Sequence, residues 1–156
     1  MKWAALIAWV VTAGGGFVLL WIWLARGGMR QGREGGNRIR PPLILTHFLL
    51  AAAGLVVWII YLAADKDVLA WIAFAVLAVV ALLGGTMFAI WYQQRSRGAL
   101  VGGSTTTASG AGAPLTTTGG QPAEQHFPVS IVTLHGILAV TTAVLVLLTA
   151  LKVGGS

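Results

Sequence analysis

Four stretches of this chain are long, apolar and free of charge. They run from about Trp3 to Ala25, Pro42 to Leu62, Val68 to Tyr92 and Pro128 to Leu151, and none contains Asp, Glu, Lys or Arg. Each reaches the roughly 20 apolar residues that a helix needs to cross the hydrocarbon core of a bilayer. In lipid every backbone N–H and C=O must be satisfied within its own segment, so stretches of this kind are helices rather than irregular chain. The expectation is an all-α polytopic membrane protein, a single domain over residues 1–156 folded as an up-down bundle of four transmembrane helices. Pro42 and Pro128 fall at helix starts, where a missing N–H has little cost.

Composition agrees. Hydrophobic residues make up 57% of the chain and charged residues only 9%, against about 45–50% and about 25% in soluble proteins. With no cysteine, disulfides, thiolate metal sites and cysteine nucleophiles are excluded, and any metal must be held by imidazole, thioether, carboxylate or backbone groups. The first apolar stretch is too long for a cleaved signal sequence, and no small-x-small site precedes the arginines, so it reads as retained.

The net charge is +6, but its placement does not suggest nucleic acid. Arg26, Arg30, Arg33, Arg38 and Arg40 lie in the first loop and Arg95 and Arg97 in the third, with no aromatics interleaved for base stacking. Only Lys2, Lys66 and Lys152 lie on the opposite side. Positive charge accumulates on the cytoplasmic side, so the two longer loops are expected there and both termini outside. The lipid bilayer is the expected partner, with anionic headgroups met by the arginines. The turn Ala63–Asp67 is short enough to force an antiparallel hairpin. Residues 98–125, rich in Gly, Ser, Thr and Ala, read as a flexible loop. High Ala, Gly, Val and Arg usage points to a GC-rich bacterial genome and hence a bacterial plasma membrane.

Polar groups in hydrocarbon are costly, so a chain of this kind discloses its chemistry through its exceptions. His47 lies about five residues into the second helix and His135 about seven into the fourth, both counted from the cytoplasmic side, which puts the rings roughly 8–11 Å deep. In an up-down bundle the second and fourth helices are diagonal, so inward-pointing histidines face each other across the core. His47 shares a helical face with Ala51 and Gly54, and His135 with Ala139 and Thr142, while Gly136 adds space. Small neighbours suit a planar ligand, and neutral imidazole suits iron; two imidazoles leave no open coordination position, favouring electron transfer over oxygen chemistry. The expected cofactor is a haem b held by His47 and His135. Met87, at matching depth beyond Gly84-Gly85, is an alternative ligand. Arg38, Arg40 and His126 lie at the same face and are candidates for holding propionates, although His126 also reads as a solvated loop residue.

Four helices with inward histidines near one surface resemble the small four-helix b-type membrane cytochromes. That resemblance is architectural and covers most of the chain; it implies a haem-binding redox subunit, but those cytochromes usually carry enough histidines for two haems, whereas His47 and His135 here fit one bis-histidine haem at most. Two other readings stay open. In one, the histidines hydrogen-bond across helices, with Thr46, Thr86, Ser130 and Thr133 as partners, in a cofactor-free accessory or scaffold subunit of a larger membrane complex or homo-oligomer. In the other, they pass copper, haem or protons in an assembly factor. Every acidic residue (Glu34, Asp65, Asp67, Glu124) falls in a loop, which argues against proton-coupled export and against a Ser-His-Asp hydrolase. No stand-alone enzyme activity is expected.

Overall fold

The computed structural model describes residues 1–34, 38–102 and 122–153. It is all-helical, with no strand among the described residues: α1 (Lys2–Ala25), α2 (Gly28–Arg33), α3 (Pro41–Ala64), α4 (Asp67–Gly102), a 3-10 turn (Ala123–His126) and α5 (Val129–Ala150). Four of these, α1, α3, α4 and α5, are long and apolar enough to cross a membrane. They are hydrophobic all round, and large apolar side chains such as Ile7, Trp21, Leu49, Leu82 and Val140 face outward. Helices apolar on every face belong in an apolar environment.

Local chemistry sets the helix ends. Arg40 is extended, as the residue before a proline must be, and Pro41 opens α3. Asp65 closes it in the left-handed region at φ 50°, its N–H bonded to the Tyr61 carbonyl at 2.8 Å, a conformation that Asp tolerates better than most residues. Asp67 then opens α4, its carboxylate matching the positive end of the helix dipole. Lys2 reaches Asp65 at 2.7 Å and Lys152 reaches Asp67 at 2.6 Å. The start of α1, the α3–α4 turn and the end of α5 therefore share one end of the molecule.

α3 packs along α4 and α1 along α5, and the two pairs meet through α4 with α5 and α1 with α3. The diagonal pairs, α1 with α4 and α3 with α5, make no backbone contact among the described residues. Near the termini the interior is closed, with Trp9 against Trp58 at 6.4 Å between ring centres and Trp58 against Tyr61 at 4.9 Å. Thr12 and Thr142, both buried, join α1 to α5 by a 3.1 Å hydroxyl–hydroxyl hydrogen bond. Toward the loop end the packing changes. No residue within 13–22 of α1, 42–53 of α3, 81–90 of α4 or 129–141 of α5 is buried, a stretch of about 15 Å at 1.5 Å per residue. Burial resumes at Trp23, Ile39, Trp91 and Glu124.

Two sequence expectations are corrected here. The third long helix does not stop at Tyr92 but runs to Gly102, because Gln93, Gln94 and Arg95 are good helix formers that carry it on past the apolar stretch. Nor is all of 98–125 a flexible loop: its first residues are helical and its last form the 3-10 turn, with Glu124 fully buried. Residues 103–121, the rest of that expected linker, lie outside the described residues.

Candidate functional site

His47 and His135 meet. Their ring centres lie 6.5 Å apart, with the ring planes at 66°. Each ring is held by the helix beside it: His47 Nδ1 lies 3.0 Å from the Val80 carbonyl of α4, and His135 Nδ1 lies 3.0 Å from the Thr12 carbonyl of α1. A carbonyl oxygen can only accept, so each Nδ1 carries the proton and donates it. In a neutral ring that leaves Nε2 with a bare lone pair. Among the described residues neither Nε2 takes a hydrogen bond.

Glycines make these contacts possible. In a helix the side chain at i+4 leans back over the carbonyl of residue i. The residues four beyond the two acceptor carbonyls are Gly84 and Gly16, so both carbonyls are uncovered. A Cβ at Gly84 would sit 3.1 Å from His47 Cε1, and one at Gly16 would sit 3.0 Å from His135 Cε1. The imidazoles lie where side chains would otherwise be.

The same device occurs twice because the hairpin occurs twice. Thr12, Gly16 and Trp23 in α1 correspond to Val80, Gly84 and Trp91 in α4 at a constant offset of 68 residues, and His47 corresponds to His135 at an offset of 88. Every buried residue of α1 (Ala5, Trp9, Thr12, Trp23) has a buried counterpart in α4 (Ala73, Leu77, Val80, Trp91). Gly54 and Trp58 of α3 likewise correspond to Thr142 and Val146 of α5, and all four are buried. Each histidine bonds to the acceptor helix of the other hairpin, so the pair sits on an approximate two-fold relation. This repeat escaped the sequence reading, although a Gly-x6-Trp spacing appears in both acceptor helices.

The remaining candidates divide. Met87 is half-buried on the face of α4 that carries Val80 and Gly84, at i+7 and i+3. The space beside Gly54 is filled by Trp9, whose ring a Cβ there would approach to 3.0 Å; that glycine admits a neighbouring indole rather than open room. Gly136 is exposed, with nothing within 4 Å of a would-be Cβ, so it does not widen the space between the histidines. His126 is half-buried with its Nδ1 enclosed and unbonded, which corrects its reading as a solvated loop residue. Of the threonines expected as histidine partners, Thr86 bonds to the Leu82 carbonyl of its own helix instead.

By sequence Glu124 falls in a loop, with nothing to mark it as a functional residue; in the structure it is fully buried. Its Oε1 accepts the backbone N–H groups of Arg38 at 2.9 Å and Ile39 at 3.3 Å, and the Gln94 amide at 3.4 Å. Gln125 donates to Gln94 Oε1 at 2.8 Å, and the Ala123 N–H donates to Gln31 Oε1 at 2.9 Å. The turn thus ties the first loop, α2 and α4 together above the histidines. These donors, two backbone N–H groups and one amide brought in from distant segments, all meet Oε1, while Oε2 is buried without a partner among the described residues; no local pattern announces them.

Among the described residues no three His, Cys, Asp or Glu side chains gather as a metal site. What comes together at this place is two imidazole rings, those of His47 and His135. With ring centres 6.5 Å apart and Nδ1 of each bonded to a carbonyl, they are the residues that would hold a haem. No protein-family model, curated protein or solved structure matches this chain.

Proposed function

We propose that this chain is an integral membrane protein, an up-down four-helix bundle in a bacterial plasma membrane, that binds one haem b between His47 and His135 and serves as a redox subunit. Its termini face outward and its longer loops face the cytoplasm, following the seven arginines of those loops. One observation carries the reading: two imidazoles on diagonal helices, each with Nδ1 committed to a carbonyl and Nε2 left bare, 6.5 Å apart. A hydrogen bond from the far nitrogen to a carbonyl is the outer-shell arrangement that orients metal-ligating histidines and raises their basicity.

The middle of the bundle around the two histidines, where no residue is buried between Thr12 and Trp23 of α1 or between Val80 and Trp91 of α4, supports the same reading, because a bundle closed there by its own side chains would offer a planar ligand no room. When bound, the haem supplies reversible one-electron chemistry. The protein's part would be to hold the group through His47 and His135 and to keep it in a low-dielectric surround, and ligation by two imidazoles would favour electron transfer over oxygen chemistry.

The test is the absorption spectrum of detergent-purified protein from haem-replete cells, oxidised and then dithionite-reduced, with His47→Ala and His135→Ala beside it. The proposal expects a Soret band with sharp reduced α and β bands in the parent and their loss in both variants. A parent without haem bands would return the histidines to helix packing and leave a cofactor-free accessory subunit or an assembly factor as the reading.

A further inference from the structure

We infer that the groove between α3 and α4 at the loop end is a binding site for one anionic phospholipid, its phosphate held by Arg38 and Arg40. This rests on the membrane placement proposed above and not on the haem. The groove encloses about 530 Å³ and is lined by the two arginines together with Leu43, Thr46, Leu83 and Ile90. Its apolar wall spans two turns of α4, about 10 Å along the helix, a surface for an acyl chain. Both arginines are exposed, and among the described residues neither guanidinium is in an ion pair.

Their placement is fixed rather than loose. Ile39, between them, is buried at 2% exposure. The Arg38 and Ile39 N–H groups are bonded to Glu124, itself fully buried. This short bend is thereby pinned at its centre, with an arginine on either side. Guanidinium forks match phosphate oxygens bidentately and hold them better than a lysine would. The backbone carrying them is already committed, so binding has only the two side chains left to order.

The internal repeat supplies an independent comparison. In the other hairpin, the positions equivalent to Arg38, Arg40, Leu43, Thr46, Leu83 and Ile90 are His126, Pro128, Ile131, Leu134, Gly15 and Ile22. Apolar character is kept at Ile131 and Ile22, Leu134 stands for Thr46 and Gly15 for Leu83, and both arginines are missing. The fold is therefore built without cations at this place on one side, and the pair on the other is an addition that the bundle itself does not need. A headgroup phosphate with a hydrocarbon tail satisfies both parts of the groove at once.

The experiment is native mass spectrometry of the full chain in detergent, titrated with dioleoyl phosphatidylglycerol or with dioleoyl phosphatidylcholine. Each basic residue near an anionic headgroup is worth about fivefold in affinity, so two predict a preference of roughly thirtyfold for phosphatidylglycerol. In the R38Q/R40Q double variant the preference should fall to within about threefold. Glu124→Ala, which unpins the segment but keeps both charges, should retain only part of it. Inorganic phosphate in excess should not displace the lipid. Equal binding of the two lipids by the parent, an unchanged preference in the double variant, or displacement by phosphate would each overturn the inference. Carbonate extraction of membranes separates the two readings: a chain released by carbonate refutes the membrane placement, whereas a retained chain without lipid preference refutes only the site.

Discussion

Replacing Gly16 or Gly84 by alanine should destabilise the protein, while the same change two residues or one residue away should not. At Gly16 the new Cβ would lie 3.0 Å from His135 Cε1, and at Gly84 it would lie 3.1 Å from His47 Cε1. Carbon atoms prefer about 3.5–4.0 Å, so each ring must give by a few tenths of an ångström. It cannot do so freely, because its Nδ1 is bonded at 3.0 Å to a carbonyl of the same helix. Overpacking of this kind costs about 1–3 kcal/mol. Gly14 and Gly85 have nothing within 4 Å of the added atom, and alanine there should add about 0.4–1 kcal/mol by limiting the unfolded chain. That unfolded-state contribution is shared within each matched pair, so the difference isolates the imidazole contact. Unfolding of the four variants in detergent micelles, followed by circular dichroism, should place Gly16→Ala below Gly14→Ala and Gly84→Ala below Gly85→Ala by about 1–3 kcal/mol. Equal stabilities within both pairs would refute the claim that the glycines exist to seat the histidines.

Three further outcomes follow from the geometry. Thr142→Val, which keeps shape but removes the hydroxyl bonded to Thr12, should cost about 0.6 kcal/mol and no more than about 1.7, the range for interhelical hydrogen bonds in membranes, as read by the same unfolding assay. The Lys2 ammonium bonded to Asp65 holds that carboxyl below its ordinary value of 3.8. The pair's small contribution is therefore complete above 3.8 and lost as pH falls through the lowered value, and melting curves of Asp65→Asn and the parent should differ at neutral pH and converge in acid. Lys152, bonded to Asp67, is raised above 10.5, so its contribution is complete below that value and lost as pH rises further. Lys152→Gln should accordingly match the parent only in strong base, and high salt should shrink both effects because the groups are exposed.

The four long helices were legible because hydropathy is a property of single residues summed along the chain, and bilayer thickness sets one length for the sum. The shared depth of His47 and His135 was legible for the same reason, since it needs only helix rise. What the residues meet sideways was not. Gly54 reads as room for a ligand until Trp9, from a helix more than 40 residues earlier, is seen in the space. Glu124 reads as solvated because its burial depends on N–H groups of Arg38 and Ile39, 86 and 85 residues away. The carbonyls that anchor the histidines carry no signal of their own; the glycines four residues beyond them do, but only once the two hairpins are aligned on each other. That alignment was hidden because the offsets differ, 68 between the acceptor helices and 88 between the histidine helices, the long third loop having lengthened the second hairpin.

The most direct test of the histidine pair as paired axial ligands is electron paramagnetic resonance of the oxidised, haem-loaded protein at low temperature. Two nitrogen ligands enforce a low-spin ferric signal, and imidazole planes held at 66° make it strongly anisotropic, unlike the compact rhombic spectrum of parallel rings. The expected result is that low-spin signal in the parent and its replacement by a high-spin one, or loss of haem, in His47→Ala and His135→Ala. A high-spin parent signal, or a low-spin signal that survives either substitution, would contradict ligation by these two residues.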